Sequence, residues 1–279
     1  MGLNSIAEKY GVSPAIHEED FLLKFLEEHL PNQEIAYEHY FTNGLESAER
    51  IKDIIMKNIP PHGICTLDPN SFSLLDFASG FGMVNRHFQK VLPIAKVDAC
   101  DIHPKSIDFH QKEIGISCYL SSDKPEDLGI QNTYNVVIAI SFFSHMPSKS
   151  WLPWLQRLMD LVQEGGLLIF TCHGPSSNLS ATHKLINKGI EFFFYPESEQ
   201  KDLDAVLYGT SCAHPNFVMD TISQIPNAHL TEYKQGAWWG GTQDFYALTK
   251  ITATEEVITK ANRQAKADPN TSRWLRFKK

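Results

Sequence analysis

The segment Ser73-Leu-Leu-Asp-Phe-Ala-Ser-Gly-Phe-Gly-Met-Val84 constrains this chain more than any other. Leu74, Leu75 and Phe77 form a short apolar run that reads as a buried strand, and Ser79-Gly80-Phe81-Gly82 reads as a turn. A helical pattern follows over residues 84–92. A strand that runs through a glycine turn into a helix presents unpaired backbone N–H groups to a ligand. Asp101, nineteen residues beyond Gly82, ends the next expected strand. A carboxylate there can accept hydrogen bonds from a ribose diol. This is the layout of a nucleotide-type cofactor site.

The surrounding pattern says what holds that layout. Strands are expected over 72–78, 96–100, 117–121, 135–141 and 167–172. Helical patterns fall between them at 84–92, 105–113 and 149–162. Alternation of this kind, with nearly continuous apolar strands, means a parallel sheet covered on both faces. Strands near 229–236 and 243–249, joined by Ala237-Trp-Trp-Gly-Gly-Thr242, form an expected antiparallel hairpin. The fold class is therefore α/β, Rossmann-like and doubly wound. Upstream, Phe21, Leu22, Phe25 and Leu26 share one face of a helix over 18–30 that Pro31 stops. A second helix is expected after Asn43, with Glu46 at capping-box spacing and Leu45, Ala48, Ile51, Ile54 and Ile55 as its stripe. Pro60-Pro61 then breaks the chain. Residues 1–70 read as a helical cap, 71–250 as the core with an insertion at 174–228, and 251–279 as a C-terminal helix and basic tail.

Two features argue against a dinucleotide. The third glycine of G-x-G-x-x-G, needed for close helix–strand packing, is Asn85 here. Asp76, inside the first strand, would repel a diphosphate and attract a ligand carrying an ammonium and a sulfonium.

At these residues the chain resembles the class I S-adenosylmethionine-dependent methyltransferases, whose first motif is roughly D-x-G-x-G-x-G. Here it stands as Asp76-Phe-Ala78-Ser-Gly80-Phe-Gly82, with alanine for the first glycine. Alanine is compatible with close approach provided φ is negative there. The resemblance continues through Val97-Asp-Ala-Cys-Asp101-Ile102-His-Pro104, Ser122-Asp123, Asn135-Val-Val-Ile-Ala-Ile-Ser141 and Glu164-Gly-Gly-Leu-Leu-Ile-Phe-Thr171. It covers about residues 70–174, and the final hairpin more loosely. It implies a seven-stranded sheet and S-adenosyl-L-methionine as cofactor. Asp101 and Ile102 would meet the ribose, and Asp76, Ala78, Gly80 and Gly82 the methionine and turn side. Ser122 and Asp123 would meet the adenine, with Ser141 and Phe142 at the end of the fourth strand.

Catalysis is less legible. Methyl transfer is an in-line displacement at a sulfonium carbon, for which positioning can supply several kcal/mol (about 7–11 in favourable cases) and a base about 10²–10⁴ in rate. His145 and His173 both fall at the carboxyl edge of the sheet and are the candidate bases. For His145 the packed alternative, a histidine supporting the adenine loop, is favoured. The acceptor pocket is expected between Tyr37, Tyr40 and Phe41 of the cap, the insertion with Tyr195 and Tyr208, and Trp239. Phe192–Phe194 fit a packed element as well as a pocket wall.

The fourth strand ends in Ile140-Ser-Phe-Phe, without the Asn/Asp-Pro-Pro-Tyr run of enzymes that methylate amino groups of bases or glutamine. A formal net charge of −8 disfavours a large nucleic-acid surface. The expected acceptor is thus a small molecule or glycan, methylated at oxygen. A non-catalytic cofactor-binding protein and an aminopropyl-type transferase are the alternatives, with a nicotinamide oxidoreductase behind them. H-E-x-x-H, paired Cys/His spacings and G-x-S-x-G are absent, so no metal ligands and no nucleophilic serine are expected. Five cysteines without C-x-x-C spacing read as reduced core thiols of a cytoplasmic protein. No apolar run approaches a membrane span and no secretory signal is evident. The sequence leaves the oligomeric state open.

Overall fold

The computed structural model describes residues 2–59, 72–179 and 189–252. The expected break at Pro60-Pro61, Cys65, positions 180–188 of the insertion and nearly all of the expected C-terminal helix and tail lie outside the described residues.

β1 (Ser73–Phe77) is the third strand of a seven-stranded sheet of order β3-β2-β1-β4-β5-β9-β8. β2 (Lys96–Asp101) and β3 (Ser117–Leu120) extend one way, and β4 (Tyr134–Ala139) returns to the other side of β1. The strand order therefore reverses between β1 and β4, the crevice where open α/β sheets take their ligands. β1 to β5 (Val162–His173) are parallel. β9 (Gln243–Lys250) runs antiparallel to both β5 and β8 (Ala228–Trp238), so the expected hairpin is present and closes the far edge.

Side-chain alternation divides the core in two. Leu75, Phe77, Val137 and Ala139 face the helix Ser148–Asp160 and its Trp151 and Trp154. Leu74, Val136, Ile138 and Ile169 face the N-terminal helices through Ile51 and Ile55. Each fully buried Leu or Ile contributes about 1.5–3 kcal/mol, so both faces stabilise the sheet strongly.

Three helices precede the sheet: α1 (Leu3–Tyr10), α2 (Phe21–His29) and α3 (Gln33–Asn58). α3 corrects the sequence reading. Asn43 does not begin a helix and Glu46 does not close a capping box; the helix runs unbroken from its N-cap Asn32, whose side chain accepts from Ile35 N at 3.0 Å. Gly44 interrupts the pattern for a packing reason. A Cβ there would lie 2.2 Å from the Met83 carbonyl, so the glycine is a notch for the loop after β1. The helix expected over 84–92 is also shorter, a 3₁₀ turn Asn85–His87 followed by Phe88–Val91.

Within the insertion, β6 (Phe192–Tyr195) pairs antiparallel with β7 (Thr210–Ala213), joined by the loop 196–209. Cys100, Cys118, Cys172 and Cys212 are buried free thiols. Among the described residues no helix is long and apolar enough to cross a membrane.

Candidate functional site

The carboxyl ends of β1, β2 and β4 open into a cleft of about 1780 Å³. Asp76, Ala78, Gly80, Asp101, Ile102, Ser122, Asp123, Ser141 and Phe142 all line it, as do both candidate histidines. Residues scattered over 76–142 in the sequence meet here because parallel strands end in register: Phe77 beside Cys100, Asp101 beside Leu120.

Asp101 is only 4% exposed, and its carboxylate is held from two sides. Oδ2 accepts from Gly80 N at 2.7 Å, and Oδ1 accepts from His103 N at 3.0 Å. The His103 ring Nδ1 lies 2.9 Å from the same Oδ1. A carboxylate offers about four acceptor positions, so Oδ2 keeps one for a ligand hydroxyl. Gly80 has φ +57°, and a Cβ added there meets nothing within 4 Å. The space beside the turn is open, as a ligand approaching backbone needs.

Gly82 behaves differently. It does not line the cleft; at φ +79° its added Cβ would sit 2.8 Å from Asn85 Oδ1 and 3.3 Å from His110 Nε2. This glycine makes room for protein. Asn85, read as a departure from a dinucleotide fingerprint, bonds His110 across 2.9 Å and packs the turn.

The proviso on Ala78 fails: its φ is +59°. Ser141 (φ +64°) and Trp239 (φ +42°) are the other non-glycine residues of positive φ among the described residues, and all three line this cleft. Such conformations cost of order 1–3 kcal/mol each and persist only where the surroundings impose them. For Ser141 the imposing contacts are visible. Its N–H donates to Thr171 Oγ1 at 2.7 Å, Thr171 donates to Gln243 Oε1 at 2.6 Å, and Gln243 Nε2 donates back to Ser141 Oγ at 2.8 Å. This closed ring ties the ends of β4, β5 and β9 together. Sequence reasoning missed Gln243, which has no local motif to announce it.

Asp76, 3% exposed, faces the cleft with its pKa pushed up to about 8, chiefly by burial and then by the neighbouring Asp101 charge. A cationic ligand group would relieve both causes.

The histidines lie beyond the strand ends. His145 Nδ1 donates to the Gly209 carbonyl at 2.8 Å, and its ring stacks on Tyr208 with centroids 4.5 Å apart. His173 Nδ1 lies 3.3 Å from the Thr242 carbonyl. In His173 the proton on Nδ1 leaves the lone pair on Nε2, whereas His145 Nε2 faces the Glu199 carboxylate at 3.8 Å. Burial above all, and His145 beside it, pulls the pKa of His173 down to about 4.

Of the expected acceptor residues, Tyr195, Tyr208 and Trp239 line the cleft and Tyr37 and Tyr40 do not. Tyr40 is wholly buried, donating to Asp20 Oδ2 at 2.6 Å beneath the Arg86 guanidinium. Tyr37 packs half-buried against the helical core. The cap reaches the cleft through Phe21 and Phe25 of α2 instead. Phe192 packs on Trp151 and Phe217, so this part of the aromatic run belongs to the core.

The fit to S-adenosylmethionine rests on the open acceptor of Asp101, the empty space at Gly80 and the buried Asp76 carboxyl, which a cationic ligand group would draw into its charged form. Residues 75–168 match a family model described as a methyltransferase domain. A putative O-methyltransferase from Nostoc punctiforme is similar in structure at 12% identity, covering 89% of this chain and 66% of its own, with a TM-score of 0.53. DesVI from Streptomyces venezuelae matches at 12% identity over 85% of this chain and 99% of its own, with a TM-score of 0.52. Magnesium protoporphyrin IX methyltransferase from Synechocystis, solved with bound S-adenosylhomocysteine, matches at 11% identity over 81% and 92%, with a TM-score of 0.51. A search of curated proteins gave no match. Fold and site together define an enzyme that takes a sulfonium nucleoside as its cofactor. Residues 75–168 carry the match to a methyltransferase domain, and the fold around them is similar to that of S-adenosylmethionine-dependent methyltransferases.

Proposed function

We propose that the enzyme methylates an oxygen of a small molecule or glycan. The observation that carries this reading is the pair of histidines at the cleft, each with Nδ1 turned to a backbone carbonyl. In His173 this leaves Nε2 as the position that can take a hydroxyl proton, and with its pKa pulled down to about 4 the ring is neutral at physiological pH. His173 is the favoured base. His145, fastened to Gly209 and stacked on Tyr208, acts by holding the 196–209 loop and the wall of the pocket.

When bound, S-adenosylmethionine supplies an electrophilic methyl group. The remaining work belongs to the chain. Asp101 and Gly80 hold the nucleoside end, and Asp76 meets the cationic end. Ser122 and Asp123 edge the base, while Ser141 and Phe142 close the strand ends. Tyr195, Tyr208 and Trp239 offer apolar bodies with polar tips, suited to an aromatic or sugar-like acceptor and to shedding water around it. Trp239 is fixed for this by its Nε1 donating to Ser47 Oγ at 3.1 Å.

The test is methyl transfer from isotopically labelled S-adenosylmethionine to a panel of phenols, sugars and amines, with products located by mass spectrometry. Labelled ethers support the reading. N-methylated products alone would overturn the oxygen assignment. Cofactor binding without any product across the panel favours a non-catalytic role.

A further inference from the structure

His103 has so far served only Asp101, yet its imidazole stands between two carboxylates from different elements. Nδ1 lies 2.9 Å from Asp101 Oδ1 at the end of β2, and Nε2 lies 3.1 Å from Asp202 Oδ2 on the 196–209 loop. The second contact is an ion pair, outside the alignment of a hydrogen bond. Phe21 of α2 covers the ring, centroids 5.1 Å apart. The nearby charges Glu19 and Lys105 pair with one another. Asp101 and Asp202 are thus the charged groups that face the imidazole.

Elsewhere the loop is fastened near its ends, apart from Glu199, whose Oε1 stands 3.8 Å from His145 Nε2, a longer contact that Asp202→Asn leaves in place. Gly209 N donates to the His145 carbonyl at 2.9 Å, and Thr210 Oγ1 donates to the Glu197 carbonyl at 2.8 Å. Asp202 lies between these anchors and reaches across the cleft from the β6–β7 side to the end of β2. Its side chain is 52% exposed, so the pair contributes little to global stability. What such a contact decides is where the loop sits.

We propose that His103 is a positioning residue that fixes Asp101 for the cofactor ribose and, while protonated, latches the 196–209 loop over that end of the cleft. The chemistry follows from the two partners. Neither carboxylate can donate, and a neutral imidazole has one N–H to give. Only the imidazolium satisfies both sides. Burial works against that charge, but Asp101 and Asp202 outweigh it and the imidazole pKa is raised. A group with a raised folded-state pKa supplies its stabilisation at lower pH and loses it as pH climbs through that value. The latch therefore holds below the imidazole titration and releases above it. The ribose half rests on the cofactor geometry proposed above; the latch half does not.

Hydrogen exchange of the ligand-free enzyme, corrected for the intrinsic pH dependence of exchange, tests the latch. Protection of residues 196–209 should fall at least about fivefold as pH rises through the His103 titration observed by NMR. Asp202→Asn should show the low protection at every pH, a lowered His103 titration midpoint and a melting temperature near that of the wild type. His103→Gln should lose the pH step as well, and S-adenosylhomocysteine should leave both variants at least about fivefold faster. Asp202→Asn with wild-type protection and an intact pH step overturns the latch. Wild-type off-rates in both variants overturn the ribose half. A wild-type enzyme that fails to bind S-adenosylhomocysteine removes the cofactor reading and leaves the exchange result to decide the latch alone.

Discussion

Gly80 and Gly82 sit two residues apart in one turn, both at positive φ, and the structure separates them sharply. Alanine at Gly80 costs the left-handed strain of about 1–2 kcal/mol, less about 0.4–1 for the stiffer unfolded chain. Nothing else is disturbed, since the new Cβ meets nothing within 4 Å. Alanine at Gly82 carries the same strain and also drives its Cβ to 2.8 Å from Asn85 Oδ1. Asn85 must then move, which breaks its buried 2.9 Å bond to His110. Leaving such groups unpaired costs about 1–3 kcal/mol. The expected losses are about 1 kcal/mol for Gly80→Ala and about 2–4 for Gly82→Ala. At roughly 2–4 °C per kcal/mol for a chain of this size, melting points should fall by about 2–4 °C and about 5–15 °C. Binding should reverse the order. Gly80→Ala places its methyl in the open space by Asp101 and should weaken S-adenosylhomocysteine markedly, whereas Gly82→Ala, where it remains folded, should bind nearly normally. Urea denaturation with constant slope, paired with calorimetry, measures both. Equal stabilities for the two variants, or a binding loss confined to Gly82→Ala, would refute the distinction.

Asp101→Ala should weaken S-adenosylhomocysteine by about 1.5–3 kcal/mol, the scale of hydrogen bonds to a charged group, and wild-type affinity by calorimetry would remove Asp101 from the site. Asp76, with its pKa raised to about 8, keeps a proton in the folded state that the unfolded chain gives up near pH 4. Its contribution to stability should therefore decline as pH rises from about 4 to about 8, by at most about 1.4 kcal/mol per pH unit. Asp76→Asn should remove that component, seen as a flatter profile in pH-dependent denaturation. Because the carboxylate is the form that meets an ammonium, cofactor affinity should also tighten toward pH 8 in the wild type and not in Asp76→Asn. His173→Ala should lower kcat by about 10²-fold with cofactor affinity nearly unchanged, and an unaltered pH–rate profile would return His173 to a packing role.

The sequence by itself determined the order of elements and most of the residues that meet at the strand ends of the cleft. β1, its glycine turn and Asp101 are legible because a buried strand needs an apolar run and a close backbone approach needs glycine. Both are properties of neighbouring residues. The same locality misled at Asn43-Gly44, where a glycine that looked like a helix boundary is a contact notch against Met83. It misled again at Gly82, which shares the motif with Gly80 but faces Asn85. Tyr40 looked like a pocket residue because tyrosine suits pockets, and only the packing of α3 on Arg86 and Asp20 shows it buried. Tertiary structure alone decided the rest. The Ser141–Thr171–Gln243 ring joins three strands across a hundred residues, and the Asp101–His103–Asp202 bridge joins β2 to a loop a hundred residues away. Hydrogen bonds and ion pairs of that kind depend on where the backbone brings two atoms. A periodic pattern records which face a side chain takes, but not which distant atom waits there.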